Sequence, residues 1–467
     1  MNTRPTMKVL LVWPSVGGAQ LHGFLPLGLG CLAANLPGDF EVHLWDGVLD
    51  RLPNASIVQE LERFRPDAVG ISVWNFNLLG TREVVAAVRQ RCPGLPIVAG
   101  GPTVCGYGER ALDVVGADYA FAGEGERPFC RFLELLRDGQ LSAEAKRQLP
   151  GLIYRDEAGR ATANPPRWEP LDDLKSCDYG LIRLNDYLAR GYQYGMHPKA
   201  RRTAPVATTR GCPFPCKFCG ARLINGPRVR CRPVESVVAE IRMLHERFAI
   251  DGFNIIDDNF TFDRDYAKRL CRAILGLGLR DVSFCSPNGV KMECLDEELL
   301  GLMKQVGWHS VFIAPESGSE RTLAAMRKHV DLSAVEERIR VIQRAGLRVL
   351  GFFIIGYPGE TAADIRRTLA YARRMPFDAV TFTCFQPLPG TPVTEELLAS
   401  GELGNVAEGT DYYQVSYAPK GLTPRQLRRW RLWGLLRFYT SSFPRLWLAL
   451  RSYSLRRILM FLGKLLR

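Results

Sequence analysis

Residues Thr208–Arg222 read TTRGCPFPCKFCGAR. Cys212, Cys216 and Cys219 fall close together, with Pro213, Pro215, Gly211 and Gly220 around them. Proline fixes the backbone and glycine lets it turn, so a short loop of this make-up can aim three sulfurs at one small cluster. Three is an awkward number for thiol chemistry: disulfides take cysteines in pairs, and structural zinc takes four protein ligands. A [4Fe–4S] cube has four irons, so three thiolates leave one iron open to an outside ligand. The competing assignment is a zinc site completed by a histidine or another of the thirteen cysteines, and no histidine lies in the loop.

Working outward, the strand-like PVATTR runs directly into the loop. Helix-patterned VESVVAEIRMLHERF, RDYAKRLCRAILGLG, DEELLGLMKQVG, LSAVEERIRVIQRAG and TAADIRRTLAYARRM then alternate with strand-like GFNIID, VSFCSPNG, HSVFIAPE, RVLGFFIIG and AVTFTCFQP. Six strands and five crossover helices predict a partial (β/α)6 barrel, with its chemistry at the carboxyl ends of the strands.

Upstream, residues 7–137 also alternate. MKVLLVW, FEVHLWD, DAVGISVW, LPIVAGG and ADYAFAG read as buried parallel strands with helices between them. This is the pattern of an open, doubly wound, Rossmann-like α/β domain, which binds ligands at the carboxyl edge of its sheet. That edge carries Trp13, Ser15, Asp46, Ser72, Gly100, Gly101, Gly123, Glu124 and Gly125. A dinucleotide site is disfavoured, because the first turn, WPSVGGAQLHGFLP, has no GxGxxG opening a helix. The expected organisation is a doubly wound domain at 1–140, a turn-rich connector at 141–200, the barrel at 201–400 and a helical region at 401–467.

The net charge of +12 is local. Residues 423–467 hold ten Arg and one Lys with no Asp or Glu, leaving 50 basic against 49 acidic residues elsewhere. The body is nearly neutral, so a uniformly basic nucleic-acid face is not expected. The tail interleaves three Trp and two Tyr with its cations and has no apolar run long enough to span a bilayer. Leu446, Leu448, Leu450, Leu455, Ile458, Leu459, Phe461 and Leu462 suit helices lying in a membrane interface; amphipathic helices packed on the barrel are one alternative, and RNA binding through arginines and aromatics is a third reading. The N-terminus runs straight into a strand, and the scattered cysteines suit a reducing, cytoplasmic setting at the inner face of a membrane.

CxxxCxxC after the first strand of a β/α barrel resembles the radical S-adenosylmethionine (SAM) superfamily. The resemblance implies that the open iron chelates the amine and carboxylate of SAM, whose reductive cleavage gives a 5′-deoxyadenosyl radical. It places Phe218 against adenine, Asp257 or Asp258 at the methionyl amine, Glu316 and Ser317 at ribose and carboxylate, and Ile355 and Gly356 beside adenine. Pro387 and Gly390 of FQPLPGTP would shape a turn near SAM. The doubly wound domain, with GGPT and GEGE at two strand ends, resembles the cobalamin-binding class, and the likeness covers residues 5–400. The residues at the carboxyl edge would then line cobalamin, held between the two domains. One departure stands out: His22-Gly23 does not complete a DxHxxG motif, so the lower cobalt face would be open or met near Ser72–Leu79 or Trp13–Gly17.

The layout is similar to the subgroup of the anaerobic magnesium-protoporphyrin ester cyclase and hopanoid-modifying enzymes. It implies methylcobalamin-dependent C-methylation of a hydrophobic, lipid- or tetrapyrrole-like substrate, with a flavodoxin- or ferredoxin-type electron donor. The alternatives are oxidation, cyclisation or ring rearrangement without methyl transfer. A tRNA methylthiotransferase would need further cluster cysteines and a β-rich RNA-binding tail, and a non-catalytic corrinoid or cluster carrier would not need the SAM-facing residues. No catalytic acid or base stands out in the sequence.

Overall fold

The computed structural model of the protein describes residues 6–16, 24–195, 197, 199–410 and 414–452. Gly17, His22, Gly23 and the apolar positions from Leu455 onward lie outside the described residues, as do the side chains of Leu448 and Leu450. The chain divides into two compact units, one built on Met1–Gln193 and the other holding Tyr194–Cys219, Arg228–Leu388 and Pro392–Arg467. Gly220–Pro227 and Pro389–Thr391 belong to the first unit.

The first unit is a seven-stranded sheet in the order β2-β1-β3-β4-β5-β6-β7. Its strands are β1 (Met7–Trp13), β2 (Phe40–Asp46), β3 (Ala68–Ser72), β4 (Ile97–Gly100), β5 (Tyr119–Phe121), β6 (Leu152–Arg155) and β7 (Ala161–Ala163). β1 to β5 are parallel, with Val9 opposite both Val42 and Ala68. Helices α1 (Leu27–Asn35), α2 (Ile57–Phe64), α3 (Leu78–Arg91) and α4 (Glu126–Arg137) cross over between strands or close the series. Sheet faces covered on both sides bury β1 almost completely, which is why MKVLLVW is an unbroken apolar run rather than an alternating one. The winding direction reverses at β1, so the switch-point crevice of the sheet lies between the ends of β1 and β3.

Residues 152–163, expected in a connector, instead extend this sheet. β6 runs antiparallel to β5, and β7 to β6. Asp156 accepts the backbone N–H of Ala158 and of Arg160, and Gly159 takes the left-handed conformation (φ +78) that closes the hairpin. The hairpin gives the three-residue β5 a partner along a side that would otherwise be an open edge.

In the second unit, β8 (Thr203–Val206), β11 (Gly252–Ile255) and β12 (Ser283–Cys285) pair in parallel, as do β13 (Ser310–Glu316), β14 (Arg348–Ile355) and β15 (Ala379–Cys384). A parallel bridge between Phe284 and Trp308 links the two groups, giving six strands in series. Helices α5 (Val234–Phe248), α6 (Arg264–Leu275), α7 (Glu297–Val306), α8 (Val335–Arg344) and α9 (Ala362–Arg374) join them, which is the partial (β/α)6 barrel. The short β9 (Thr209–Arg210) and β10 (Arg230–Cys231) pair antiparallel on either side of the cysteine loop.

The tail helix α10 (Pro424–Tyr439) closes the free edge of this sheet. Its buried residues, Leu427, Arg431, Gly434, Leu435 and Phe438, form one stripe at helical spacing. Gly434 is backed against α9 and β15: a Cβ there would stand 2.6 Å from Leu369. The Tyr439 hydroxyl donates to the Val380 carbonyl and accepts its N–H, pairing edge-strand groups that would otherwise face water. One face of the tail is therefore packed on its own barrel. α11 (Phe443–Ser452) follows, anchored where the Arg445 guanidinium donates to the carbonyls of Arg373, Met375 and Phe377. Leu427 is completely buried; we expect Leu427→Ala to cost about 2–5 kcal/mol, read as a lower urea midpoint for the second unit.

Candidate active site

The cysteine loop is bolted down just before it begins. Asp257, at the end of β11, is buried, and its Oδ1 accepts the Thr208 N–H at 2.6 Å. Its Oδ2 accepts the Thr209 N–H and both threonine hydroxyls. Burial pushes this carboxyl up to about 6, and the four hydrogen bonds work against that rise. The neighbouring Asp258 accepts the Gly211 N–H at 3.3 Å, with Gly211 at φ +97. Arg232 donates to the Ala207 carbonyl and pairs with the buried Glu240 at 2.6 Å, holding the same backbone from the other side. Of the two aspartates expected at the SAM amine, Asp257 has both oxygens occupied by the loop.

Beyond Gly211, Cys212 and Cys216 are half-buried and Cys219 is exposed. Burial raises both half-buried thiols; the Phe214 N–H lowers Cys212, and Lys328 lowers Cys216. The Lys217 N–H donates to the Met326 carbonyl, and its carbonyl accepts the Val393 N–H, so the loop is stitched to two neighbouring segments. Lys217 Nζ also reaches Glu396 at 2.8 Å. Phe218 packs beside Tyr357, ring centroids 6.5 Å apart, at the rim of a buried cluster that includes Met326 and Phe385. Among the described residues, no three His, Cys, Asp or Glu side chains converge on a single ion. A cube does not require that convergence, since each thiolate takes a different iron. The donor set therefore fits the cluster: three thiols on one loop, with cations beside them.

Glu316 ends β13 in a left-handed conformation (φ +68), rare for a residue with a Cβ and costly unless its surroundings enforce it. Its buried carboxylate meets Lys328 Nζ at 3.2 Å. Burial raises the Glu316 carboxyl, with Lys328 opposing. Burial also works against the Lys328 ammonium, but Glu316 and the thiols of Cys216 and Cys219 outweigh it and raise its pKa. Lys328 is the site residue that the sequence reading missed. It follows a short helix, Glu320–Met326, that ends at Arg327 with φ +52, and this reversal lets a residue twelve positions downstream meet Glu316. No local periodicity announces such a return.

Ser317 is committed to the scaffold, its hydroxyl shared with Thr368 at 3.0 Å and accepting the Ser319 N–H. Ile355 is buried. Gly356 (φ +78) donates its N–H to Glu360 at 2.6 Å, and a Cβ there would stand 2.8 Å from Leu427 of α10. Glu360, also absent from the sequence reading, is pushed up to about 7 by burial while accepting the N–H groups of Gly356 and Tyr357. Gly390 lies with the first unit, where a Cβ would meet the Gly106 carbonyl at 2.4 Å.

At the carboxyl edge of the first sheet, the expected residues separate into two groups. Asp46 is buried, accepting the N–H of Val48 and Leu49 and the Tyr187 hydroxyl. Burial pushes it up to about 6, those hydrogen bonds opposing. Trp13 is packed edge-on against Phe76, and the Ser15 N–H is held by Asn54. Gly101 (φ +103) and Gly123 (φ +84) lack room for a side chain, against Val73 and against Pro166 and Trp168 respectively, and Gly125 is close to Leu32. Ser72, Gly100 and Glu124 are half-buried, and a Cβ on Gly100 would meet nothing. Asp46 and Trp13 thus shape the edge from within, while Ser72, Gly100 and Glu124 are half-buried there and Gly100 has open space where a side chain would stand.

A three-thiol loop at the mouth of a β/α barrel, together with a doubly wound corrin-type sheet, defines a cobalamin-binding radical SAM enzyme. The comparisons agree. The radical SAM superfamily profile matches residues 206–372 and the B12 binding domain profile residues 21–133. An uncharacterized methyltransferase of Pyrococcus horikoshii is 31% identical over 85% of this chain and 84% of its own. Cytidylyl-2-hydroxyethylphosphonate methyltransferase of Streptomyces wedmorensis is 28% identical over 86% and 83%. The radical SAM methyltransferase TsrM from Kitasatospora setae, solved with cobalamin and a [4Fe–4S] cluster, superposes with a TM-score of 0.72 at 20% identity, over 91% of this chain and 85% of that one. The chain belongs to the cobalamin-binding class of the radical SAM superfamily, and its cofactors are a [4Fe–4S] cluster, SAM and cobalamin.

Two predictions follow from this geometry. Asp257→Ala strands the four donors of Thr208 and Thr209, so anaerobic reconstitution should load much less iron than the parent, as it should for Cys216→Ala. Asp46→Asn keeps the acceptor for Val48 and Leu49 and turns an amide toward Tyr187. Because the folded carboxyl is raised to about 6, Asp46 favours folding most at low pH and loses that contribution as pH rises. In urea titrations, the Asn variant should therefore gain on the parent by about 1.4 kcal/mol per pH unit between about pH 4 and 6, then level off.

Proposed function

We propose that the protein methylates an unactivated carbon of a hydrophobic small molecule. The observation that carries this reading is the loop of Cys212, Cys216 and Cys219 with the Lys328–Glu316 pair set against the same thiols. Bound there, the cluster and SAM would supply a carbon-centred radical, and cobalamin the methyl group. Lys328 would take the carboxylate of SAM and offset the negative charge of the thiolates. Glu316 would hold Lys328 in place, and Asp258, beside Gly211, is the aspartate better placed to serve the methionyl amine. Gly356 makes room for Leu427 at the strand end that would lie beside adenine, with Glu360 fixing the turn that follows. The exposed aromatic and cationic residues of α10 and α11 support a lipid-like or tetrapyrrole-like substrate. Electrons would come from a flavodoxin- or ferredoxin-type donor, and thirteen cysteines with no disulfide among the described residues suit a reducing cytoplasmic compartment.

The anaerobic cyclase of Cereibacter sphaeroides, 24% identical over 91% of this chain and 68% of its own, keeps ring closure as a second reading. Anaerobic incubation with SAM, reductant and lipid or tetrapyrrole extracts separates the two. S-adenosylhomocysteine appearing together with 5′-deoxyadenosine marks methylation, 5′-deoxyadenosine alone marks oxidation or ring closure, and neither product overturns both. Lys328→Met should raise the KM for SAM roughly 10- to 100-fold, the loss of one charged hydrogen bond, with iron loading unchanged.

A further inference from the structure

The outer side of α10 and α11, which supports the hydrophobic-substrate reading above, also forms a surface of its own. The buried stripe of α10 lies on the barrel, so Arg425, Arg429, Trp433, Leu436 and Arg437 form the opposite stripe, facing solvent at helical spacing. Leu436 is 52% exposed, and the Arg437 guanidinium stands 4.8 Å above the Trp433 ring. α11 adds Phe443, 77% exposed, with Leu446 and Trp447 also open to solvent. These side chains do not hang on a loose tail: Tyr439 is bonded to β15, and Arg445 donates to three carbonyls at the end of α9 while covering Phe438. Five large apolar side chains held rigidly in water mark an interaction surface. The cations beside them meet no carboxylate of the tail itself, because residues 423–467 contain none.

We infer that this face docks on an anionic lipid surface, with Trp433, Phe443 and Trp447 entering the headgroup layer and Arg425, Arg429 and Arg437 meeting lipid phosphates. Amphipathic indole rings settle at that depth, the apolar Phe443 ring gains by leaving water, and each arginine adds attraction to an anionic leaflet. Among the described residues no helix is long and apolar enough to cross a membrane. A second copy fits the face poorly, since it would set arginine stripes against each other with no acidic group between them. RNA fits less well: base stacking uses aromatic faces, whereas Leu436 and Leu446 offer nothing to stack on and the Trp433 ring already carries Arg437, leaving Phe443 and Trp447.

The test is sedimentation of the full-length holoprotein with vesicles, under anaerobic conditions. Vesicles of phosphatidylcholine with about one third phosphatidylglycerol should carry the protein down and shift its tryptophan emission to the blue, whereas pure phosphatidylcholine should bind it at least tenfold less. The triple variant Trp433→Ser, Phe443→Ser, Trp447→Ser should lose more than tenfold in affinity for the anionic vesicles, with parental circular dichroism and iron content. Arg425→Gln, Arg429→Gln, Arg437→Gln together should lose roughly a hundredfold. The inference is overturned if the anionic vesicles do not bind the protein, or if both variants bind like the parent. It is equally overturned if the aromatic face instead drives a dimer in sedimentation velocity, or if RNA displaces the vesicles from it.

Discussion

The carboxylate of Asp257 is the fixed point on which the active-site loop depends. Four donors from two adjacent threonines converge on it, tying the last residues of one strand path to the end of the next. A buried carboxyl that accepts so many hydrogen bonds is costly to leave unpartnered, and so are the donors it satisfies, which gives the interaction its rigidity. Everything after Thr209 inherits that rigidity: the turn at Gly211, the three thiols, and Phe218 resting on Tyr357. A loop that must present three sulfurs to a cluster of fixed geometry has little room for backbone drift, and the protein removes the drift before the loop starts.

Charge around the thiols follows the same economy. Lys328 is a buried cation that acts on the thiols, and its pKa is raised rather than depressed because Glu316 and two thiols outweigh the cost of burying it. Glu316 in turn is held in a backbone conformation that a residue with a side chain rarely adopts. Strain at a strand end, a buried ion pair and a thiol loop meeting in one place is the signature of a site under functional constraint. The tail helix contributes as well, because Leu427 fills the space over Gly356 at the end of β14. What reads as an appended amphipathic segment is, on its inner side, part of the wall behind the site.

The first domain illustrates how a residue expected to touch a ligand can serve by shaping the surface instead. Asp46 sits at a strand end where a ligand-binding residue would be sought, yet its oxygens are taken by two backbone N–H groups and Tyr187. Gly101 and Gly123 are glycine because of close approach from Val73 and from Pro166 and Trp168, whereas Gly100 has open space above it. The residue type is the same in all three; the physical reason differs, and only the neighbours reveal it.

The barrel, the doubly wound sheet and the cluster loop were legible in the sequence because each rests on local signals. Buried parallel strands are continuous apolar runs, crossover helices repeat at their own period, and CxxxCxxC needs only its spacing to be recognised. What lay beyond sequence was every property that depends on which distant group arrives. The hairpin at 152–163 was hidden because short strands with mixed composition gain their partner only when the sheet forms. Asp257 and Asp258 are adjacent in sequence and chemically identical, and the threonines that claim one of them are set by the packing of β8 against β11. Lys328 reaches the thiols through a helix end that reverses at Arg327, a turn its own residues do not advertise. In the tail, composition gave an amphipathic helix with two candidate surroundings, and tertiary packing assigned one face to the barrel. The reason is common to all of these: periodicity and motif spacing are properties of contiguous chain, whereas burial, pairing and pKa are properties of neighbours brought together by the fold.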